Sequence, residues 1–272
     1  MKEGYFVTRT YRAGNVWEKI KYWVPGKRPA KVGRVTNSEI KKQEQNETQT
    51  IRAAARVLNE NFIAGDIVLG LDYSDSGLDV LSAKVGNDCE NREEAMYLAA
   101  GHEMKLFLRR VKRECEKRGI EFKYGIAVTS DMDGKTGKSV RVHHHMVINQ
   151  ESLAVAMEKW SLGGVHFEPL SAQPDYTPVA EYFIKQTRKI KDAKKFVCSR
   201  NLIRPVPKDR IVPSNAEIRV PAKGVLLHRS EFKPGRPQYI RYLLTSGDDE
   251  EEKVGICVPQ KKRQRKNEKY SE

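Results

Sequence analysis

Residues 140–149, VRVHHHMVIN, constrain this chain more than any other stretch. Their β-branched and apolar side chains favour a strand, and in a strand alternate residues share a face. His143 and His145 then point to one side, with Arg141 and Val147. His144 points to the other, with Val142, Met146 and Ile148. Two imidazoles two residues apart on one strand can hold one divalent ion, each giving one ring nitrogen. A zinc hydrolase using all three histidines on one ion is the weaker reading, because His144 faces away.

The rest of the pattern predicts an α+β chain. Residues 5–11 and 19–24 read as a hairpin joined through Ala13-Gly14-Asn15, and residues 25–35 as a basic Pro/Gly loop. Ser38 can cap a helix running to about Asn61. DIVLGLDYSD, 66–75, is an apolar strand ending in a turn. A long amphipathic helix is predicted from Asn91 to the stop at Gly119. Strands follow over 121–129 and 140–148, then a helix over 152–160, a strand near 165–170 and a helix over 178–191 capped by Thr177-Pro178. Residues 211–245 hold short apolar runs between Pro and Gly, and the charged tail 246–272 reads as flexible. The expected divisions are 1–35, 36–205, 206–245 and 246–272.

Hydrophobic residues are 39% of the chain, enough to exclude wholesale disorder. Four scattered cysteines with no CxxC pair argue against a disulfide scaffold and fit a reducing cytosol. With no long apolar run and no signal-like start, the expectation is a cytoplasmic protein without a membrane span. The formal net charge is +14, from 50 Lys+Arg against 36 Asp+Glu. Residues 1–60 hold 13 basic against 6 acidic side chains, and residues 181–210 hold 10 against 3. Each segment is therefore net +7, which points to a phosphate-tracking surface. Candidate DNA contacts are Lys19, Lys21, Lys27 and Arg28 at the front, Arg141 beside the histidines, and Arg188, Lys189 and Arg200 further on.

The helix AEYFIKQTRKI, 180–190, carries a second constellation. At about 100° per residue, Tyr182, Lys185, Gln186 and Lys189 share one sector. Ala180, Phe183, Thr187 and Ile190 make the adjoining packing face. A phenol one turn from two ammonium groups is suited to attack phosphorus, with the cations favouring a phenolate-like oxygen. GKTGKS, 134–139, imitates a phosphate loop but has Met132 where the motif needs Gly, and a strand rather than a helix follows.

Taken together, His143-His144-His145 before Met-Val-Ile, Tyr182-Phe-Ile-Lys185 some forty residues later, and LGLDYS at 69–74 resemble the HUH endonucleases. More narrowly, they resemble the rolling-circle replication initiators of bacterial plasmids and phages. The resemblance covers about residues 5–205. It implies a central antiparallel five-stranded sheet with helices packed mainly on one face and both histidines in a middle strand. It implies a Mg²⁺ or Mn²⁺ ion on His143 and His145, with Gln186 the leading third ligand and Asp131 the second candidate; Ser130 stands where relatives often carry Glu. Tyr182 would be the nucleophile and Lys185 its helper. The implied partners are single-stranded or hairpin origin DNA and a host helicase and polymerase, in the cytoplasm of a bacterial host cell. A single-tyrosine transposase, a relaxase and a non-catalytic DNA-binding regulator are the alternatives.

Overall fold

The computed structural model describes residues 4–26, 39–85, 91–133, 135–187, 194–230, 236–244 and 256–257. The chain forms two units, Met1–Gly33 with Val206–Glu272, and Arg34–Pro205. In chain order the elements begin with β1 (Gly4–Ala13), β2 (Val16–Pro25), α1 (Glu39–Asn61), β3 (Ile67–Asp72), α2 (Asp75–Val85) and α3 (Arg92–Lys117). Next come β4 (Tyr124–Met132), β5 (Ser139–Ile148), a 3-10 turn (Gln150–Ser152), α4 (Leu153–Lys159), β6 (Val165–Pro169), α5 (Thr177–Lys185) and β7 (Phe196–Cys198). The chain closes with β8 (Lys208–Val212), β9 (Glu217–Ile218), β10 (Val225–Arg229), β11 (Gln238–Leu243) and β12 (Ile256–Cys257). The fold class is α+β, and among the described residues every strand pairing is antiparallel. Among the described residues no helix is long and apolar enough to cross a membrane.

In the 34–205 unit five strands lie in the order β6-β3-β5-β4-β7, so the histidine strand is the middle one. Its alternation feeds two cores. Met146 and Ile148 join Leu69 and Leu71 of β3 under Leu81 of α2, Phe107 of α3 and Val155 of α4. Val147 and Ala127 lie on the opposite face, under Leu58 of α1 and Phe183 of α5. Helices therefore cover both faces, three on one and two on the other, rather than mainly one. The reason is that the central strands are apolar on both sides, and a single helical layer would leave Val147 and Ala127 wet.

Local chemistry explains most element ends. Asn91 caps α3, its side-chain oxygen accepting from the Glu94 N–H at 3.2 Å. Gly119, at φ +70°, turns the chain away after the helix. The helix α2 lies almost wholly in a stretch, 76–90, where the sequence pattern predicts no element. It starts where the Ser74 hydroxyl accepts from the Gly77 N–H at 3.1 Å. Strand β4 begins three residues later than predicted because Asn149 takes the preceding backbone instead. Its side chain accepts from Lys123 N–H at 2.9 Å and donates to the Glu121 carbonyl at 2.8 Å.

The other unit is a second five-stranded sheet, β10-β11-β2-β1-β8. The β1–β2 hairpin closes through Gly14-Asn15, with Gly14 at φ 57° as a two-residue hairpin turn requires. The hairpin and residues 206–245, expected to be separate pieces, are one structure. Strand β1 pairs with β8, and β2 with β11. Ile240, Tyr242 and Ile218 form its core.

His144 tests the two-faced reading of β5. It is wholly buried, with Nε2 2.8 Å from the Tyr73 hydroxyl and its ring 5.9 Å from that of Trp160. Replacing it with leucine strands that hydroxyl. His144→Leu is expected to cost about 1–3 kcal/mol in urea unfolding, and Tyr73→Phe in that background to return part of it.

Candidate functional site

The residues that meet on the other face of β5 do so through backbone geometry. The His143 Nδ1 lies 2.8 Å from the Arg141 carbonyl, which can only accept, so Nδ1 carries the proton and donates it. Nε2 of the neutral ring is then its lone-pair atom. That Nε2 is 3.0 Å from the His145 Nε2. The Gln186 Oε1 completes a triangle, 2.9 Å from His143 and 3.0 Å from His145.

Two features bring Gln186 there. It is the C-cap of α5. Its carbonyl accepts from the backbone N–H groups of Asp131 and Met132, both at 3.1 Å. Those donors are available because the β4–β5 register is irregular on both sides of Ser130, which takes Asp131 out of the ladder. Asp131 thus meets Gln186 through its backbone. Its carboxylate is not among the three converging atoms, which corrects the second ligand candidate.

The start of α5 is fixed differently from expectation. Tyr176 occupies the cap, and the Asp175 carboxylate accepts from Thr177 N–H at 3.0 Å and Thr177 Oγ1 at 2.7 Å. Asn59 of α1 donates to the same carboxylate at 3.1 Å and accepts from Tyr176 N–H at 2.7 Å. The helix ends at Lys185, short of the predicted 191. Along it Phe183 is buried and stacks on His145, ring centroids 5.6 Å apart and planes 13° apart. Tyr182 is 54% exposed, its ring 5.0 Å from the same imidazole. The proposed nucleophile is therefore solvent-facing and against the histidine pair, one turn before Gln186. Lys185 is half-exposed and ion-pairs with Glu181 at 2.5 Å, so its charge is shared with a carboxylate.

The donor set suits a divalent ion. Two imidazole nitrogens and an amide oxygen are borderline-to-hard ligands of the kind Mn²⁺ and Mg²⁺ accept. Donors about 2.1 Å from one ion and at right angles stand about 3.0 Å apart, the separations found here. Among the described residues no three His, Cys, Asp or Glu side chains gather, so the site rests on two histidines and an amide.

One neighbouring pair was not anticipated. Asp72 lies directly across from His143 in the β3–β5 register, and its carboxylate is 2.8 Å from the His166 Nε2 of β6. The Asp72 end of β3 is held from two sides: Trp160 Nε1 donates to its carbonyl at 3.1 Å, and Gly163 approaches so closely that a Cβ would fall 2.2 Å from that oxygen. The available signal was a polar last residue on an otherwise apolar strand. The partner strand could not be known from it.

The proposed DNA contacts divide. Arg141 and Arg200 are exposed, Arg141 reaching Asp75 at 2.7 Å. Lys27, Arg28, Arg188 and Lys189 lie outside the described residues. Lys19 and Lys21 are each only 5% exposed, which removes them from a solvent-facing phosphate track. The Lys21 ammonium donates to the carbonyls of Ser214, at 2.8 Å, and Ala216, and burial pulls its pKa below the usual lysine value. Lys19 sits 5.6 Å from the centre of the Tyr242 ring. Both are struts of the second sheet.

Comparison with protein-family models, with curated proteins and with solved structures gives no match.

Burial pushes the His145 imidazole down to about 4, with the neighbouring His143 adding to the fall and Gln186 and Asp72 partly opposing it. Its folded-state value lies below the unfolded one, so its contribution to stability is complete above pH 6.5. That contribution is lost as pH falls from 6.5 toward 4. Urea unfolding of the metal-free protein should show a loss of roughly 3 kcal/mol across that window, and His145→Gln should flatten the slope.

Proposed function

We propose that residues 34–205 form a metal-dependent DNA nicking and joining domain of HUH type that starts rolling-circle replication. The observation that carries this reading is the exposed Tyr182 ring set against His145, at the edge of three converging donors. His143, His145 and Gln186 would hold a divalent cation, which would supply Lewis-acid polarisation of a phosphate oxygen.

The chain's own residues do the rest. Phe183 stacks on His145 and keeps that ring upright. The Arg141 carbonyl fixes the His143 tautomer. The Tyr182 oxygen attacks phosphorus, the P–O3′ bond breaks, and the phenol's proton is balanced by one gained at the 3′ oxygen. Lys185, three residues on, offsets part of the negative charge that builds at phosphorus. The cut strand stays joined through its 5′ phosphate to Tyr182, and the freed 3′ hydroxyl can prime a host polymerase. Attack of a 3′ hydroxyl on the phosphotyrosine reverses the step without ATP. Unwinding falls to a host helicase, and the setting is the bacterial cytoplasm. A single-tyrosine transposase is the second reading, favoured by the Tyr182-x-x-x-Gln186 spacing with Gln186 on the histidines. Strand-transfer assays with element ends separate the two.

The test is incubation with labelled single-stranded DNA of the parent replicon and Mn²⁺, followed by mapping of any peptide–DNA adduct. The adduct is expected on Tyr182, and Tyr182→Phe should abolish it while DNA binding persists. An adduct that survives Tyr182→Phe contradicts the assignment, and undiminished nicking in EDTA contradicts the metal role.

A further inference from the structure

We infer that the groove between α1 and β7 seats an unpaired nucleotide of the strand that Tyr182 cuts, an inference that rests on the nicking reading above. The groove has a volume of about 720 Å³, within the ~300–1,000 Å³ common for small-ligand clefts. One wall is a single stripe of α1, with Asn46, Gln49 and Thr50 leading to Ala53 and Val57 at helical spacing. The other wall is β7 and the chain after it, with Phe196, Cys198, Arg204 and Pro205.

The lining separates by chemistry in the way a nucleotide does. Ala53, Val57 and Pro205 are apolar and Phe196 offers a ring, a surface for a base. Asn46 and Gln49 add amide donors and acceptors, able to read a base edge. Lys194 and Arg204 are exposed cations, Arg56 is a buried one, and among the described residues no carboxylate lines the groove. Two exposed cations beside an apolar slot fit a phosphate with its base better than a peptide or a neutral metabolite.

Phe196 of the groove and His145 of the candidate active site lie on the same face of the sheet. Glu47 of α1 pairs with Lys195 at 3.3 Å, and its charge also reaches Lys185, three residues after Tyr182. Glu47 thus stands between Lys195, next to the groove's Lys194, and Lys185 of the tyrosine helix. In the sheet, Phe196 is opposite Ala127, and Ala127 is opposite His145. Two strand spacings separate His145 from Phe196, or ~10 Å. That distance equals about three nucleotides at the rise of a stacked strand. The seat would recognise a base close to the cut, which makes it a determinant of origin choice.

Cys198 lines the groove, with the Arg204 guanidinium 3.7 Å from its sulfur, and serves as a reporter. The full chain is treated with iodoacetamide, and modification of the Cys198 peptide is followed by mass spectrometry. A mixed-sequence single-stranded 12-mer DNA at ten times its Kd should slow the reaction about tenfold. Lys194→Ala with Arg204→Ala should weaken binding of the 12-mer by about tenfold or more and reduce the salt slope by about 1.4. Ala53→Phe, which fills the floor from an exposed helix position, should abolish protection without those charge changes. Unslowed alkylation of Cys198 in bound wild-type protein overturns the proposal. So does equal protection by inorganic phosphate, or protection by an RNA 12-mer alone. Loss of protection with the Tyr182 adduct intact refutes the groove and leaves nicking standing. Protection without any adduct supports the groove as a DNA seat and refutes nicking.

Discussion

Side chains on a strand alternate between faces, and in the 34–205 unit one strand uses both faces at once. Strand β5 is the middle of its sheet and carries buried apolar residues on both faces, so each face needs a helical cover. His144, Met146 and Ile148 enter the core under α2, α3 and α4, where His144 finds the Tyr73 hydroxyl. His143, His145 and Val147 belong to the face under α1 and α5. Because both neighbours of β5 are hydrogen-bonded strands, the two imidazoles are held on one face, and the Arg141 carbonyl, Phe183 and Gln186 orient their rings toward each other.

The second face then needs a helix that packs without closing off the histidines. Helix α5 meets that need by ending early. Phe183 goes under, Tyr182 stays out, and Gln186 closes the triangle only because the helix stops at Lys185 and the irregular stretch of β4 captures its last carbonyl. At its other end α5 is tied to α1 through Asn59 and Asp175. A rigid tie at each end holds the phenol against His145, and α1 in turn forms the wall of the groove beside β7.

Local patterns were legible in the sequence and long-range ones were not. The facing of His143 and His145 follows from a period of two and needs no partner strand. The caps at Asn91 and Gly119 are likewise local. Tyr182 and Gln186 share a helix side by simple spacing, yet the choice between Gln186 and Asp131 depended on a strand irregularity that no periodicity announces. The second helical layer was hidden because apolar runs in β3 and β5 do not say which residues cover them. Lys19 and Lys21 show the same limit from the other side. Each looks like a surface cation, and Lys21 is buried only because carbonyls at 214 and 216, far along the chain, fold over it. The Asp72–His166 pair was missed for the same reason, since strands 3 and 6 meet only in the folded sheet.

The central claim is that the alternation of β5 and the end of α5 together make one metal site from His143, His145 and Gln186. Pulsed electron paramagnetic resonance of the Mn²⁺-loaded protein tests it directly, because ligating imidazole nitrogens leave couplings in the spectrum. One bound ion is expected, with couplings from two imidazoles, one of them lost in His143→Ala and the other in His145→Ala, and weaker Mn²⁺ binding in Gln186→Ala. A spectrum without nitrogen couplings, or one unchanged by both histidine substitutions, would contradict it.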